Sequence, residues 1–276
     1  MHIYLLYPVK PLFIFASISA VLCFSPAKAQ DEQWDTYMVR MGKMPASVLV
    51  DMALVGSAPD KKFPYLVITG PKTKNCDTHG LPDHEEISLL ETILDASGNF
   101  LTGVTPKVLV GTVTKNCERV NYYYVKDTIG IRNALNRLYT HSYPTYAYVI
   151  GIKYDPEWMT YRKNLYPDED TRNWMENDKV IMAMLKQGDS LAGKRNINFD
   201  ISFHSDTDRA AFIVYAKAKG FNTREAINAT ATNAPYQVMV YTYNSVKSEV
   251  INPMALDLKN EAKRRRGIYN GWEAKK

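Results

Sequence analysis

Cysteine is scarce in this chain: only 3 of 276 residues, at Cys23, Cys76 and Cys117. No Cys-x-x-Cys occurs, so the usual redox-active dithiol spacing is missing. Nor is there a Gly-x-Ser-x-Gly elbow, a His-Glu-x-x-His pair or a phosphate-cradling glycine loop, so the best-marked hydrolase, zinc-protease and nucleotide-binding patterns are absent. One sign of charge does not dominate. The chain carries 34 Lys and Arg against 29 Asp and Glu, a net of +5, which names no partner by bulk attraction. Beyond the first 30 positions no run is apolar enough to cross a bilayer, which takes about 20 residues.

The start of the chain differs from the rest. Leu12 to Phe24 is apolar, follows Lys10 and leads into Ser25-Pro26-Ala27-Lys28-Ala29. A short apolar stretch closing in Ala-x-Ala has the layout of a cleavable secretory leader. The expectation is cleavage after Ala29, with an uncleaved anchor as the alternative. Leu22 stands where lipid attachment at Cys23 would want a small residue. Cleavage takes Lys10 and Lys28 and no acid, so the net charge falls from +5 to +3. The remainder is expected to be exported, periplasmic or secreted, with no transmembrane segment.

Export suits the two remaining cysteines, an even pair in a compartment that allows disulfides. Each closes the same tetrapeptide, Thr73-Lys74-Asn75-Cys76 and Thr114-Lys115-Asn116-Cys117, after a strand-like run. Neighbouring strands can bring those ends within bridging range. The pair is therefore a disulfide candidate, with two free buried thiols as the alternative.

Hydrophobic periodicity sketches the elements. Val48–Leu54 and Tyr65–Ile68 read as strands. Asp83 then reads as the cap of a helix, with Glu86 completing a capping box and Ile87, Leu90 and Leu94 on one face. Lys107–Val113 and Val120–Val125 read as a hairpin, followed by a helix from Asp127 or Thr128 and a strand over Thr145–Tyr154. The order ββαββαβ predicts an antiparallel sheet with its helices segregated to one side.

Pro156–Asp170 has no steady period and reads as the boundary. The second half reads αβαββαβ. It opens with a helix over Glu169–Lys186 carrying Trp174, Ile181 and Leu185 on one face. Ile197, Phe199, Ile201 and Phe203 then alternate with Asn198, Asp200, Ser202 and His204, the mark of a strand buried on one side. Ser205 to Asp208 caps a helix that puts Phe212, Tyr215 and Ala216 inward and stops at Gly220. Strands near Ala226–Thr232 and at Tyr236–Tyr243 follow, then a helix from Pro253 and a short strand over Ile268–Trp272.

Some of these residues resemble known families. Trp34 and Tyr37, Pro45-Ala46-Ser47-Val48, Gly80-Leu81-Pro82 before an acidic helix, and Tyr122-Tyr123-Tyr124 resemble the bacterial domain of unknown function 695. The likeness covers about Gln30 to Asp155. From Leu185-Lys186-Gln187-Gly188-Asp189, through the Phe199–His204 strand and its capped helix, to Tyr269-Asn270-Gly271-Trp272, the second half resembles the regulator of ribonuclease E activity B family. That resemblance covers about Glu169 to Trp272 and implies a small α/β sandwich that binds and restrains a cytoplasmic ribonuclease. The exporting leader and the basic stretch Lys263-Arg264-Arg265-Arg266 depart from that pattern. What carries over is the architecture and not the target.

Three clusters have the residue types for chemistry. Cys76, Asp77, His79, Asp83, His84 and Glu85 supply zinc-ligand types at short spacing, although Gly80-Leu81-Pro82 and a cap at Asp83 account for the segment as a turn. His204 beside Ser205 and Asp206 brings a triad to mind, but triad members converge from different elements, and capping accounts for Ser205 and Asp206. Lys263 to Arg266 can meet phosphates or simply oppose the helix dipole, with Asp257 and Glu261 one turn back as partners. Tyrosine is in excess, 19 in all, at alternating strand positions that include Tyr122, Tyr124, Tyr146, Tyr148, Tyr241 and Tyr243. Tyrosines off the core are good contact residues.

The expectation is an α+β protein of two ferredoxin-like α/β sandwich domains, antiparallel sheets with helices on one face. The divisions are a leader (1–29), a first domain (30–158) and a second (166–276). It binds an unidentified protein partner through a sheet face or the cleft between domains. Tyr122, Tyr124 and Lys263 to Arg266 are the candidate contact residues, with no catalytic, metal or cofactor-binding residue. An envelope hydrolase built around His79 and His84 and a nucleic-acid binder are the alternatives, the latter not expected.

Overall fold

The computed structural model describes residues 32–227 and 233–274. The expected leader, and the part of the expected Ala226–Thr232 strand beyond 227, lie outside the described residues. The rest belongs to one contact unit beginning at Glu32.

The first sheet has six strands: β1 (Trp34–Met41), β2 (Met44–Asp51), β3 (Tyr65–Pro71), β4 (Lys107–Lys115), β5 (Glu118–Val125) and β6 (Tyr148–Tyr154). They pair antiparallel in the order β1-β2-β4-β5-β3-β6. β1 was not expected from periodicity, because Met38 breaks the alternation by lying 53% exposed on the wet side. Asn116 and Cys117 turn the β4–β5 hairpin with φ of 50° and 57°, the paired left-handed geometry that follows strand twist.

One face of this sheet is covered by α1 (His84–Thr102) and α2 (Ile131–Ser142). Leu90, Ile93, Leu101, Ile131, Leu135 and Tyr139 bury against Val67, Tyr123 and Val125. The opposite face is covered by the segment expected to be a boundary. Trp158, Tyr161 and Leu165 pack on Ala46, Val48, Val50, Leu66, Val110 and Tyr124, partly from a single π-helical turn at Thr160–Leu165. Each such side chain contributes about 1.5–3 kcal/mol by leaving water. The spacing 158, 161, 165 is helical, but only two turns long, too short to stand out as a period.

The second sheet contains β7 (Arg195–Phe203), β8 (Asn222–Ile227), β9 (Tyr236–Asn244) and β10 (Gly267–Ala274) in the antiparallel order β10-β7-β9-β8. The helices of this half are α3 (Glu169–Lys186), α4 (Asp206–Ala218) and α5 (Ser248–Arg264). Phe212, Ala216, Ile251, Ala255 and Leu258 from α4 and α5 bury against Ile197, Phe199, Ile201, Phe203, Val238 and Val240. Ser205 caps α4 by accepting from Asp208 N at 3.2 Å, and Asp168 caps α3 by accepting from Thr171 N at 2.8 Å.

Three local expectations change. Asp83 makes no side-chain cap on α1, because Glu86 turns back to another segment described below. On α3 the buried positions are Asn173, Met175, Asn177 and Ile181, while Trp174 and Leu185 lie 42% and 41% exposed. α5 starts at Ser248 and contains Pro253 in its second turn, whose missing N–H falls opposite the Glu249 carbonyl.

The closing Tyr269-Asn270-Gly271-Trp272 has a structural role. Register shifts between Tyr269 and Gly271, and Gly271 takes φ +113°, which an L side chain rarely adopts. The bulge returns Trp272 to the core side, where its indole N–H donates to Asn177 Oδ1 at 2.9 Å. Asn177 Nδ2 then donates to Asn252 Oδ1 at 2.9 Å, tying α3, α5 and β10 together.

Candidate binding face

Cys76 and Cys117 form a disulfide, with Cα atoms 5.6 Å apart, so a loop before α1 is pinned to the tip of the β4–β5 hairpin. Backbone bonds reinforce the clasp: Cys117 N donates to Gly80 O at 2.8 Å and Thr73 N to Cys117 O at 2.8 Å. Gly80, at φ +77°, lies so close that a Cβ there would meet Asn116 N at 2.9 Å. Glu86, 8% exposed, accepts from Lys74 N at 2.9 Å, Asn75 N at 3.1 Å and the Thr73 hydroxyl. Burial opposes its ionisation, but these donors outweigh it and hold its pKa below the ordinary glutamate value.

The same loop contains the histidines of the sequence-level metal cluster. Asp77 Oδ1 accepts from His79 N at 2.8 Å and Leu81 N at 2.9 Å, an Asx turn. Its Oδ2 lies 3.4 Å from exposed His79 Nδ1. His84 is exposed at the start of α1. Cys76 is consumed by the disulfide, and among the described residues no group of three His, Cys, Asp or Glu could hold a metal ion. His204 is also exposed, its Nδ1 against Asn233 O. Ser205 caps α4, and Asp206 pairs with Arg209 at 2.6 Å.

Each cation of the Lys263–Arg266 tetrad meets an acid, and Arg264 and Arg265 share one. Lys263 meets Glu169 at 2.7 Å, Arg264 and Arg265 meet Glu261 at 3.0 and 2.7 Å, and Arg266 meets Asp208 at 2.9 Å. Asp257 pairs instead with Lys219 at 3.7 Å and accepts from the Tyr215 hydroxyl at 2.8 Å. The stretch ties the end of α5 to the starts of α3 and α4.

The two tyrosines singled out on β5 are not surface residues. Tyr124 is fully buried, stacked on Trp158 and donating to Asp155 Oδ2 at 2.7 Å. Burial and the Asp155 carboxylate both push its pKa up. Tyr122 is half-buried against the same cluster, and burial followed by Glu118 raises its pKa. β5 is covered on both sides, so alternation along it points no residue at solvent.

The second sheet is different. All three helices of that half lie toward the Ile197–Phe203 side, and no described element covers the other. Cross-strand register puts Asn222, Tyr241 and Asn198 in one row and Arg224, Met239 and Asp200 in the next, with Tyr243 beside Asn196. Tyr243 is 65% exposed, Tyr241 37% and Ile268, at the β10 margin, 44%. Several polar groups on this face are held by one another. Asn198 donates to Glu273 at 3.3 Å, and Asn270 donates to Asp200 at 3.3 Å and to Ser202 at 3.2 Å. The arrangement is a firm polar frame around a row of tyrosine and methionine. It has the make-up of a contact surface: large, stiff aromatic area with polar tips.

Comparison with known proteins divides the chain in the same place as the two sheets. Residues 32–166 match a family of unknown function, DUF695. Residues 174–274 match regulator of ribonuclease activity B. No curated protein matches the chain. A crystal structure of an unknown protein from Galdieria sulphuraria aligns over 77% of this chain and 97% of its own, at 9% identity and a TM-score of 0.21, too low to relate the two folds.

Proposed function

We propose that this chain, a DUF695-family region followed by a regulator-of-ribonuclease-activity-B region, is an exported regulator that acts by contact and without catalysis. It binds a protein partner through the open face of β10-β7-β9-β8. The observation that carries this reading is the face itself: Met239, Tyr241 and Tyr243 lie in line on a sheet whose described helices are all on the other side. The whole face falls within the region matched to the regulator family, whose name describes regulation of a ribonuclease. The Ala27-Lys28-Ala29 leader supports a target outside the cytoplasm, so the manner of action is carried over and the ribonuclease is not. The Lys263–Arg266 cations are engaged with Glu169, Glu261 and Asp208, so that stretch lends no support to a phosphate-binding role.

Two measurements test this. N-terminal sequencing of the protein from fractionated cells should read Gln30 first, in the exported fraction; a cytosolic chain beginning at Met1 contradicts the export. Partner capture should be lost in a Tyr241→Asp/Tyr243→Asp variant that melts like the parent; capture that ignores the change contradicts the binding face.

A further inference from the structure

A groove lies away from the open face, beginning at the edge of β1. Two cavities of about 450 and 360 Å³ adjoin there, with Tyr37 and Thr171 lining both; the second meets β1 only at Tyr37 and Val39. The first is lined by four consecutive β1 residues, Asp35 to Met38. Successive strand side chains point to opposite faces, so one cavity meets all four only where it runs along the strand edge. β1 ends its sheet. Gln33 O accepts from Met52 N at 2.8 Å, so odd-numbered positions bond toward β2. The Thr36 N–H turns the other way, taken by its neighbour Asp35 Oδ1 at 2.9 Å. By the same parity Met38 and Arg40 present their N–H groups to the edge.

The two ends of the groove differ in character. At one end Met38, Trp174 and Met182 are 53%, 42% and 51% exposed around buried Met175, and thioether side chains adapt to varied apolar groups. The charges there are already satisfied, with Lys179 on Asp35 at 2.5 Å and Asp178 accepting from Ser248 at 2.7 Å. The other end holds Arg162, Lys163 and Arg172. Arg172 is fixed by donating to Pro167 O at 2.9 Å and lies over the Tyr166 ring. Neither Arg162 nor Lys163 has an acidic partner among the described residues. The one acid of this end, Asp168, is occupied in capping α3. Tyr37 forms the wall between the ends; burial, then the negative charge of Asp168, pushes its pKa up to about 12.

We propose that this groove takes an extended peptide segment of another protein, adding as a strand to β1, with apolar side chains over Met38, Trp174 and Met182 followed by a carboxylate between Arg162 and Lys163. A strand edge supplies backbone bonds and alternate pockets supply the selection. The site is separate from the open-face reading and stands or falls apart from it.

Random octapeptides displayed on phage and selected against the full chain should enrich apolar residues followed by Asp or Glu. A labelled peptide from that set should bind in fluorescence anisotropy. It should weaken at least tenfold on Arg162→Glu/Lys163→Glu and at least tenfold on Met38→Asp, all exposed positions whose variants should melt like the parent. Tyr243→Asp should leave its affinity unchanged. A matching peptide with Lys in place of the acid should bind the charge-reversed variant better than the parent. No enrichment, enrichment without an acidic position, or binding lost with Tyr243→Asp and kept with Arg162→Glu/Lys163→Glu would overturn the proposal. A dimer of the chain that dissolves on charge reversal would do so too, because a second copy would then be the occupant.

Discussion

Trp158 lies flat on Tyr124, ring centroids 4.1 Å apart and planes within 9°, with its indole N–H donating to Phe63 O at 2.9 Å. This stack closes the face of the first sheet that α1 and α2 leave open. The segment after β6 therefore belongs to the first core and is no spacer.

Trp158→Ala should destabilise the protein by about 3–5 kcal/mol, the range for emptying a buried aromatic site. Urea unfolding followed by tyrosine and tryptophan fluorescence measures it. A loss under about 1 kcal/mol would mean the segment only rests on the sheet.

The Cys76–Cys117 bridge spans 41 positions. Constraining a loop of that length in the unfolded chain stabilises the folded state by roughly 3–4 kcal/mol. Cys76→Ser/Cys117→Ser should lower stability by that order, and dithiothreitol should do the same to the parent while leaving the double variant alone. Equal stability in parent and variant would contradict the clasp.

Glu86 has its pKa depressed in the fold, so its contribution to stability is complete above the unfolded value near ~4.3. It is lost as pH falls through the lower folded value. Parent stability should therefore drop on acidification from about pH 5, and Glu86→Gln should flatten that part of the profile. Unfolding midpoints across pH 2.5–7 (a range of ~4–5 units around the carboxylates) give the comparison; parallel profiles would contradict the role of Glu86.

The paired tetrad leads to an expectation about nucleic acid. Filter binding with single-stranded RNA in low salt should show no affinity that depends on Lys263 to Arg266, because these are held by Glu169, Glu261 and Asp208. Affinity that falls steeply with salt and disappears on reversing those four charges would contradict it.

How much of this was legible depended on whether a strand is covered on one side or two. The β7 alternation from Ile197 to Phe203 announced its buried face, and β9 repeats it, with Val238 and Val240 inward and Met239, Tyr241 and Tyr243 outward. Reading that parity on β9 would have placed the exposed tyrosines there. On β5 the run Tyr122-Tyr123-Tyr124 is nearly continuous and apolar, the pattern of a strand buried on both faces, and so Tyr124 is in the core. The spacing of Asp83 and Glu86 suggested a capping box that does not form: Asp83 makes no side-chain cap, and Glu86 finds three donors on the Thr73–Asn75 segment, brought close by a disulfide that sequence spacing could only suggest. The β1 groove was not legible, because β1 itself was missed and its cations come from Arg162, Lys163 and Arg172 in a segment without period.

The central claim, contact through the open sheet face, is tested most directly by a photo-crosslinking amino acid placed at Tyr243 in cells that export the protein. Val214, 69% exposed on α4 at the helical side, is the control position. The account predicts one discrete protein adduct from position 243, absent from position 214 and lost when Tyr241→Asp is added. Adducts from 214 alone, or none from 243 while the protein is folded and exported, would contradict it.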